Sequence, residues 1–292
     1  MRHDPFRIRL YRGRTDRGGR VIELSWPQVS ARRLERAGLM PAAGQGPGAG
    51  MAAVVAGMCG AHAQVMPAAE VSIGLRLGGV TRAHVRDALW KERSLVKTYG
   101  PRGTVHLLPA RDLPMWVGAM SSIPLTKRAA PPSMRMTAEQ TEAVVAAIRE
   151  VLSGAELTID ELSAAVVAAT GPWAGDLVMP AFQSWWPRWR QAMSLAAHRG
   201  ALVFGPARGR KVTYTAAPTA SASFAASASA APSASAAPAA SATAAASAAP
   251  TAGALAGSAV ADGLGGLVRS YLAAYGPAGP EEFARWAGGP VG

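Results

Sequence analysis

Cys59-Gly60-Ala61-His62-Ala63-Gln64 is the one stretch of this chain that clusters side chains of catalytic type. Gly60 is the residue expected just past a helix C-terminus, so His62 and Gln64 are expected to leave that helix in an extended turn. In extended backbone, residues two apart point the same way, whereas on a helix they diverge by about 200°. A histidine and an amide aimed together into one cleft can hold a water molecule. The competing arrangement leaves Gln64 in solvent and packs His62 under a loop. Cys59 and His62 are too few to ligate a metal, and Cys59 is expected to be buried and inert. A single cysteine cannot form an internal disulfide, which fits a reducing compartment.

These residues sit in a basic chain. Thirty Lys and Arg against eighteen Asp and Glu give a formal net charge of +12, most of it carried by arginine. Such an excess implies a polyanionic partner, nucleic acid before a membrane surface, because no strongly apolar amphipathic helix accompanies it. Aromatic runs of the RNA-recognition type are missing, so an RNA binder ranks below a DNA binder. The 292 residues suffice for two or three domains, each with its own core. Residues 1–24 form a basic arm with Arg2, Arg7, Arg9, Arg12, Arg14, Arg17 and Arg20 against Asp4 and Asp16. The arm lacks the apolar run of a secretory signal, so a cytoplasmic protein is expected. It either tracks phosphates or folds into nothing.

From Ser25 onward the pattern becomes globular. Residues 30–39 read as a short capped helix closed by glycine, Met51 to Met58 as a buried helix, and Thr81 as the start of another with Val85, Ala88 and Leu89 on its apolar face. Leu95 to Tyr99 and Thr104 to Leu108 flank Gly100-Pro101-Arg102-Gly103, a hairpin signal, with Thr104 and His106 on one face of the second strand. Helices followed by a basic-tipped hairpin outline a winged helix, in which one helix enters the major groove and the hairpin lies on the backbone or in the minor groove.

The outline then recurs. Thr137 with Gln140 and Thr158 with Glu161 read as capping boxes opening two helices. A third helix is expected from Trp185 through Trp189 to His198. Ala201 to Phe204 and Val212 to Tyr214 flank a second basic tip. Arg188, Arg190, Arg199, Arg208, Arg210 and Lys211 are candidates for phosphate contact, each set against the alternative of a solvated surface. Residues 216–261 are almost wholly Ala, Ser, Pro and Thr and read as a disordered or weakly helical linker. Leu264 to Tyr275 and the segment from Pro280 read as helices of a partial third unit. The expected architecture is mainly α with short β-hairpin wings: winged helix 1 over 25–109, winged helix 2 over 110–215, and an incomplete third over 262–292.

In this order the segments resemble the AlkZ-type (also YcaQ-type) winged-helix DNA glycosylases. The resemblance rests on residues 59–64, 88–93, 102–107 and 200–205, and on Tyr275-Gly276-Pro277-Ala278 with Phe283-Ala284-Arg285-Trp286. It implies a monofunctional enzyme that hydrolyses the N-glycosidic bond of alkylated purines, with some members unhooking bulky adducts or crosslinks. It also implies a partner of double-stranded DNA, alkylated or crosslinked, with no cofactor, no metal and no membrane; a monomer is expected. The family's Gln-x-Gln or Gln-x-Asp element aligns with His62-Ala63-Gln64, so Gln64 matches the second position and His62 stands at the first. The implied roles are Gln64 orienting water, His62 assisting it, and Arg102, Thr104 and His106 shaping the cleft or holding phosphates. The alternative is a non-catalytic winged-helix DNA-binding protein with the same fold and the same basic wings.

Overall fold

The computed structural model describes residues 7–9, 23–39, 50–124, 131–218 and 252–291. Most of the basic arm, and residues 219–251 of the expected linker, lie outside the described residues. The arm's described piece is paired: β1 (Arg7–Arg9) runs antiparallel to β2 (Glu23–Ser25). Helix α1 (Trp26–Arg36) starts a turn earlier than its sequence pattern suggests, because Ser25 and Gln28 form a capping box across Pro27 in the first turn.

Two successive units then share one topology. In the first, α2 (Met51–Gly57), β3 (Ala61–His62), α3 (Met66–Gly74), α4 (Arg82–Trp90), β4 (Leu95–Tyr99) and β5 (Val105–Pro109) form helix–strand–helix–helix–strand–strand. Its sheet has the order β3-β5-β4. Helix α5 (Leu113–Ser122), which the sequence pattern did not reveal, leads to the second unit. There α6 (Ala138–Val151), β6 (Glu156–Thr158), α7 (Ile159–Thr170), a hairpin of β7 (Leu177–Ala181) and β8 (Ser184–Pro187), α8 (Met193–His198), β9 (Val203–Arg208) and β10 (Lys211–Thr215) repeat the order, with a sheet β6-β10-β9. Thr81, Thr137 and Thr158 each accept the amide of the residue three on, as the capping pattern requires.

The expected helix through Trp185 and Trp186 is corrected. Those residues lie in β8, paired with Met179 and Pro180. Pro187 has no amide to donate, so a helix cannot run through it from Trp185; the chain instead makes a 3-10 turn over Arg188–Ala192, and the regular α-helix starts at Met193. Pro206, by contrast, is tolerated inside β9 because β9 is an edge strand.

The units share one core. Trp189, wholly buried and donating its indole N–H to Ser163 Oγ at 3.0 Å, lies in it with Ile73, Leu107, Ile148 and Leu202. A second cluster gathers Cys59, Val96, Leu108 and Trp116 beneath α9 (Ala252–Tyr275) and α10 (Pro280–Ala287). Helix α9 begins at Ala252, inside the segment expected to be linker. The two C-terminal helices therefore pack on the first unit and α5. The aromatic rings of Tyr271, Tyr275, Phe283 and Trp286 stack among themselves, and Trp286 reaches Trp116.

The crossing of α5 and α9 is close enough to demand glycine. A Cβ on Gly263 would lie 2.8 Å from the Ala119 amide nitrogen, whereas at Gly265 the nearest atom is the Arg269 guanidinium at 3.5 Å. Gly263→Ala is expected to destabilise the chain by about 1–3 kcal/mol through overpacking. Gly265→Ala, two residues along the same helix, should instead stabilise it by about 0.5–1 kcal/mol by removing backbone freedom. Urea titration of both variants checks the opposite signs.

Candidate active site

Helix α2 delivers the candidate residues through a Schellman turn. The Cys59 amide donates to Ala56 O at 2.9 Å and the Gly60 amide to Val55 O at 3.0 Å. Both residues have positive φ, 53° and 89°, so Cys59 itself holds the left-handed position and Gly60 follows it. Burial raises the Cys59 thiol to about 12, which keeps it protonated and inert as expected.

The chain leaves this turn extended. Ala61 and Ala63 point into the core while His62 and Gln64 are exposed, so the two candidate side chains share the outer side as their spacing required. Strand β3 is held against β5: Ala61 pairs with Leu107 and His62 with His106, and the Ala63 amide donates to Val105 O at 2.7 Å. Gln64 then takes over from the backbone, its Oε1 accepting the Val105 amide at 3.2 Å. This tie holds the amide group at the end of the ladder.

His106 is buried under His62, their rings edge to face at a centroid separation of 5.2 Å. Its Nδ1–H donates to Thr104 O at 3.0 Å, which leaves Nε2 as a lone-pair acceptor. Burial first, then the neighbouring His62 and Arg102, lower its pKa from 6.5 to about 4, while the Thr104 carbonyl works the other way. His106 is thus neutral at physiological pH. Gly100 makes room for it, since a Cβ there would come 2.9 Å from Nδ1. Sequence reading placed Gly100 in a turn but had no signal for this packing role.

The remaining candidates are dispersed. Thr104 Oγ1 donates to Pro101 O at 3.0 Å and closes the turn rather than facing the cleft. Arg102, at a φ of 58°, donates through Nη1 to Trp286 O at 2.9 Å, so the first hairpin tip lies against the C-terminal end of α10. Arg188 is spent inside the fold, donating to Ser133 O and to Asp176 Oδ2, each at 3.1 Å. Arg190 stacks its guanidinium 4.1 Å from the Trp186 ring. Arg199 holds both carboxylate oxygens of Glu142, at 2.8 and 2.6 Å. In the second basic tip Arg208 pairs with Glu161 and with the Glu156 carbonyl, and Lys211 with Asp160 at 2.8 Å. Arg210 is exposed and has no ion pair among the described residues. Among the described residues no three His, Cys, Asp or Glu side chains come together as a metal site, and no helix is long and apolar enough to cross a membrane.

Residues 55–292, which include the whole candidate site, match the family model described as DNA glycosylase AlkZ-like. The chain belongs to this AlkZ-like family. An interstrand DNA cross-link repair glycosylase from Streptomyces sahachiroi is 31% identical over 274 residues, covering 91% of this chain and 61% of the relative. The solved structure of Streptomyces sahachiroi DNA glycosylase AlkZ superposes with a TM-score of 0.63 at 27% identity, covering 90% of this chain and 61% of that one. The chain thus spans less than two thirds of the length of these AlkZ-like relatives.

Burial of neutral His106 sets a pH signature. The unfolded chain takes up a proton below about 6.5, whereas the folded chain resists until about 4. Stability should therefore be full above pH 6.5 and fall progressively as pH drops to 4, by a total of about 3 kcal/mol. His106→Gln should be less stable at neutral pH yet show a flatter decline over that window, as read by urea midpoints between pH 7.5 and 4.5.

Proposed function

We propose that this chain is a monofunctional DNA glycosylase built from tandem winged helices, with units over 25–109 and 110–215 and the helices of 262–292 contributed by a third. Its substrates are N7-alkylated purines or bulky and crosslinked adducts in duplex DNA. The relative named as an interstrand cross-link repair glycosylase supports that substrate class. The observation that carries the reading is the exposed pair His62 and Gln64, with His62 on β3 against a neutral His106 and Gln64 just past its end on the Val105 amide.

An N7-alkylated purine is cationic and leaves readily, so the protein has only to deliver water and tolerate an oxocarbenium-like sugar. In this reading the Gln64 NH2 donates to the oxygen of the attacking water. His62 accepts the proton that the water releases as the C1′–O bond forms. The C1′–N9 bond breaks with its electron pair passing to the base, which neutralises the purine cation. The proton returns to solvent from His62. A neutral His106 beneath keeps positive charge away from the developing cation. The tie between Gln64 Oε1 and the Val105 amide favours a second reading, a non-catalytic DNA-binding protein in which Gln64 only completes the sheet.

Release of N7-methylguanine from methylated duplex DNA decides between them. The glycosylase reading expects release that falls tenfold or more in both His62→Ala and Gln64→Ala, a loss of about 1.4 kcal/mol of transition-state stabilisation. DNA binding without release, from this substrate or from bulky N7 adducts, would leave the second reading standing.

Phosphate contact in this proposal falls to Arg210 rather than to Arg188. Arg210→Ala is expected to weaken duplex binding and lower the slope of log Kd against log salt by about one. Arg188→Ala should instead lower the unfolding midpoint and leave that slope unchanged, because its hydrogen bonds are all internal.

A further inference from the structure

The second unit departs from the first in two linked ways. Its third helix is enclosed: Met193, Ser194, Ala196, Ala197 and His198 are all buried. Ser194 lies against Gly103, and His198 Nε2 sits 3.1 Å from Gly100 O, so the helix is covered by the first unit's hairpin. A helix covered in this way is not available to lie in a major groove. In the same unit, the segment between the second and third helices, a short turn in the first unit, holds β7 and β8.

That hairpin is anchored at its base and bare at its tip. Arg188 ties the base together, donating its amide to Asp176 O at 2.8 Å and its guanidinium to Asp176 Oδ2 and Ser133 O. The Arg190 guanidinium backs the Trp186 ring. Beyond these anchors Phe182 is 90% exposed at the turn, with Trp185 at 51% and Trp186 at 42% on the strand that follows it; Leu177, at the base, is 65% exposed. Residues 177–187 contain no acidic side chain, and Asp176 below them is neutralised by Arg188. Nothing on the hairpin repels a phosphate backbone, in a chain of net charge +12. The hairpin leads directly into the helical run that begins at Arg188, so it is the part of this segment left outside the covered helix.

We propose that the β7–β8 hairpin is a DNA wedge, with Phe182 entering between base pairs and Trp185 flanking the opened step. This rests on the reading that the chain acts on duplex DNA. An apolar wedge of this kind costs a few kcal/mol of unstacking, offset by stacking on the aromatic rings and by the surface that the bent duplex then covers. Opening a base step serves an enzyme that has to reach a glycosidic bond from outside the stack.

The test uses the full chain and an undamaged duplex carrying 2-aminopurine, with anisotropy for affinity and fluorescence for unstacking. Wild-type binding should raise 2-aminopurine fluorescence. Phe182→Ala should abolish that rise and weaken binding about tenfold. The salt slope should not change, because no phosphate contact has been removed. Phe182→Leu, still apolar, should recover part of both signals. A Phe182→Ala variant equal to wild type in affinity and fluorescence overturns the wedge. So does a wild type that self-associates through the hairpin, losing its dimer but not its DNA affinity on the same substitution. Wild-type chain that fails to bind duplex DNA removes the DNA-acting reading itself, an outcome distinct from binding that ignores Phe182.

Discussion

Strand β5 has to satisfy its backbone on both edges while both of its faces are buried, and the candidate site follows from how it does so. All five of its residues are inaccessible, with β4 on one side and the two-residue β3 on the other. A buried strand cannot leave amides unpaired without a cost of about 1–3 kcal/mol each, so β3 must stay in register with it. That register is what sets His62 over His106. Where β3 ends, the Val105 amide still needs an acceptor, and the side chain of Gln64 supplies it. The same interaction therefore completes the sheet and fixes the amide that the proposed chemistry uses.

The two units repeat a topology but not an environment. In the first, α4 keeps Arg82, His84 and Arg86 at the surface, with Arg82 and Arg86 paired to the buried carboxylate of Glu70. In the second, α8 fills the space between the units. Their sheets meet through Tyr99 on β4, which packs on Phe204 of β9, and through Lys97, whose ammonium lies 4.8 Å from that same ring. Burial there lowers the Lys97 pKa and raises that of Tyr99, so both groups favour their neutral forms relative to solvent. An architecture that buries one unit's third helix to join two units has to present other surface to a partner.

Charge excess and free charge are likewise different quantities in this molecule. Arg76, Arg102 and Arg188 donate to backbone carbonyls at helix ends, turns and loops. Arg199, Arg208 and Lys211 face carboxylates, and Asp160 and Glu161 in the first turn of α7 would favour that helix with or without them. A guanidinium with five donors is suited to such ties, which is why an arginine-rich sequence overstates the surface available to phosphate.

The sequence by itself determined the features closed by contacts a few residues apart. The capping boxes at Thr137 and Thr158, the helix start at Thr81, the turn at Pro101–Gly103, the glycine turn that ends α2, and the short second hairpin rest on bonds or dihedrals between residues close in the chain. The tertiary structure alone decided the rest. It turned Trp185 and Trp186 into a strand, because the run's pairing with Met179 and Pro180, and the proline after it, outweigh an ambiguous periodicity. It made helix of a stretch whose composition reads as linker, with α9 starting at Ala252 and packing on α5 from Gly263 and Leu267 onward. It assigned Arg188 to Asp176 and Arg102 to Trp286, and it lowered the pKa of His106. Each of these depends on atoms brought together from distant parts of the sequence, where burial and register, not local spacing, set the energy.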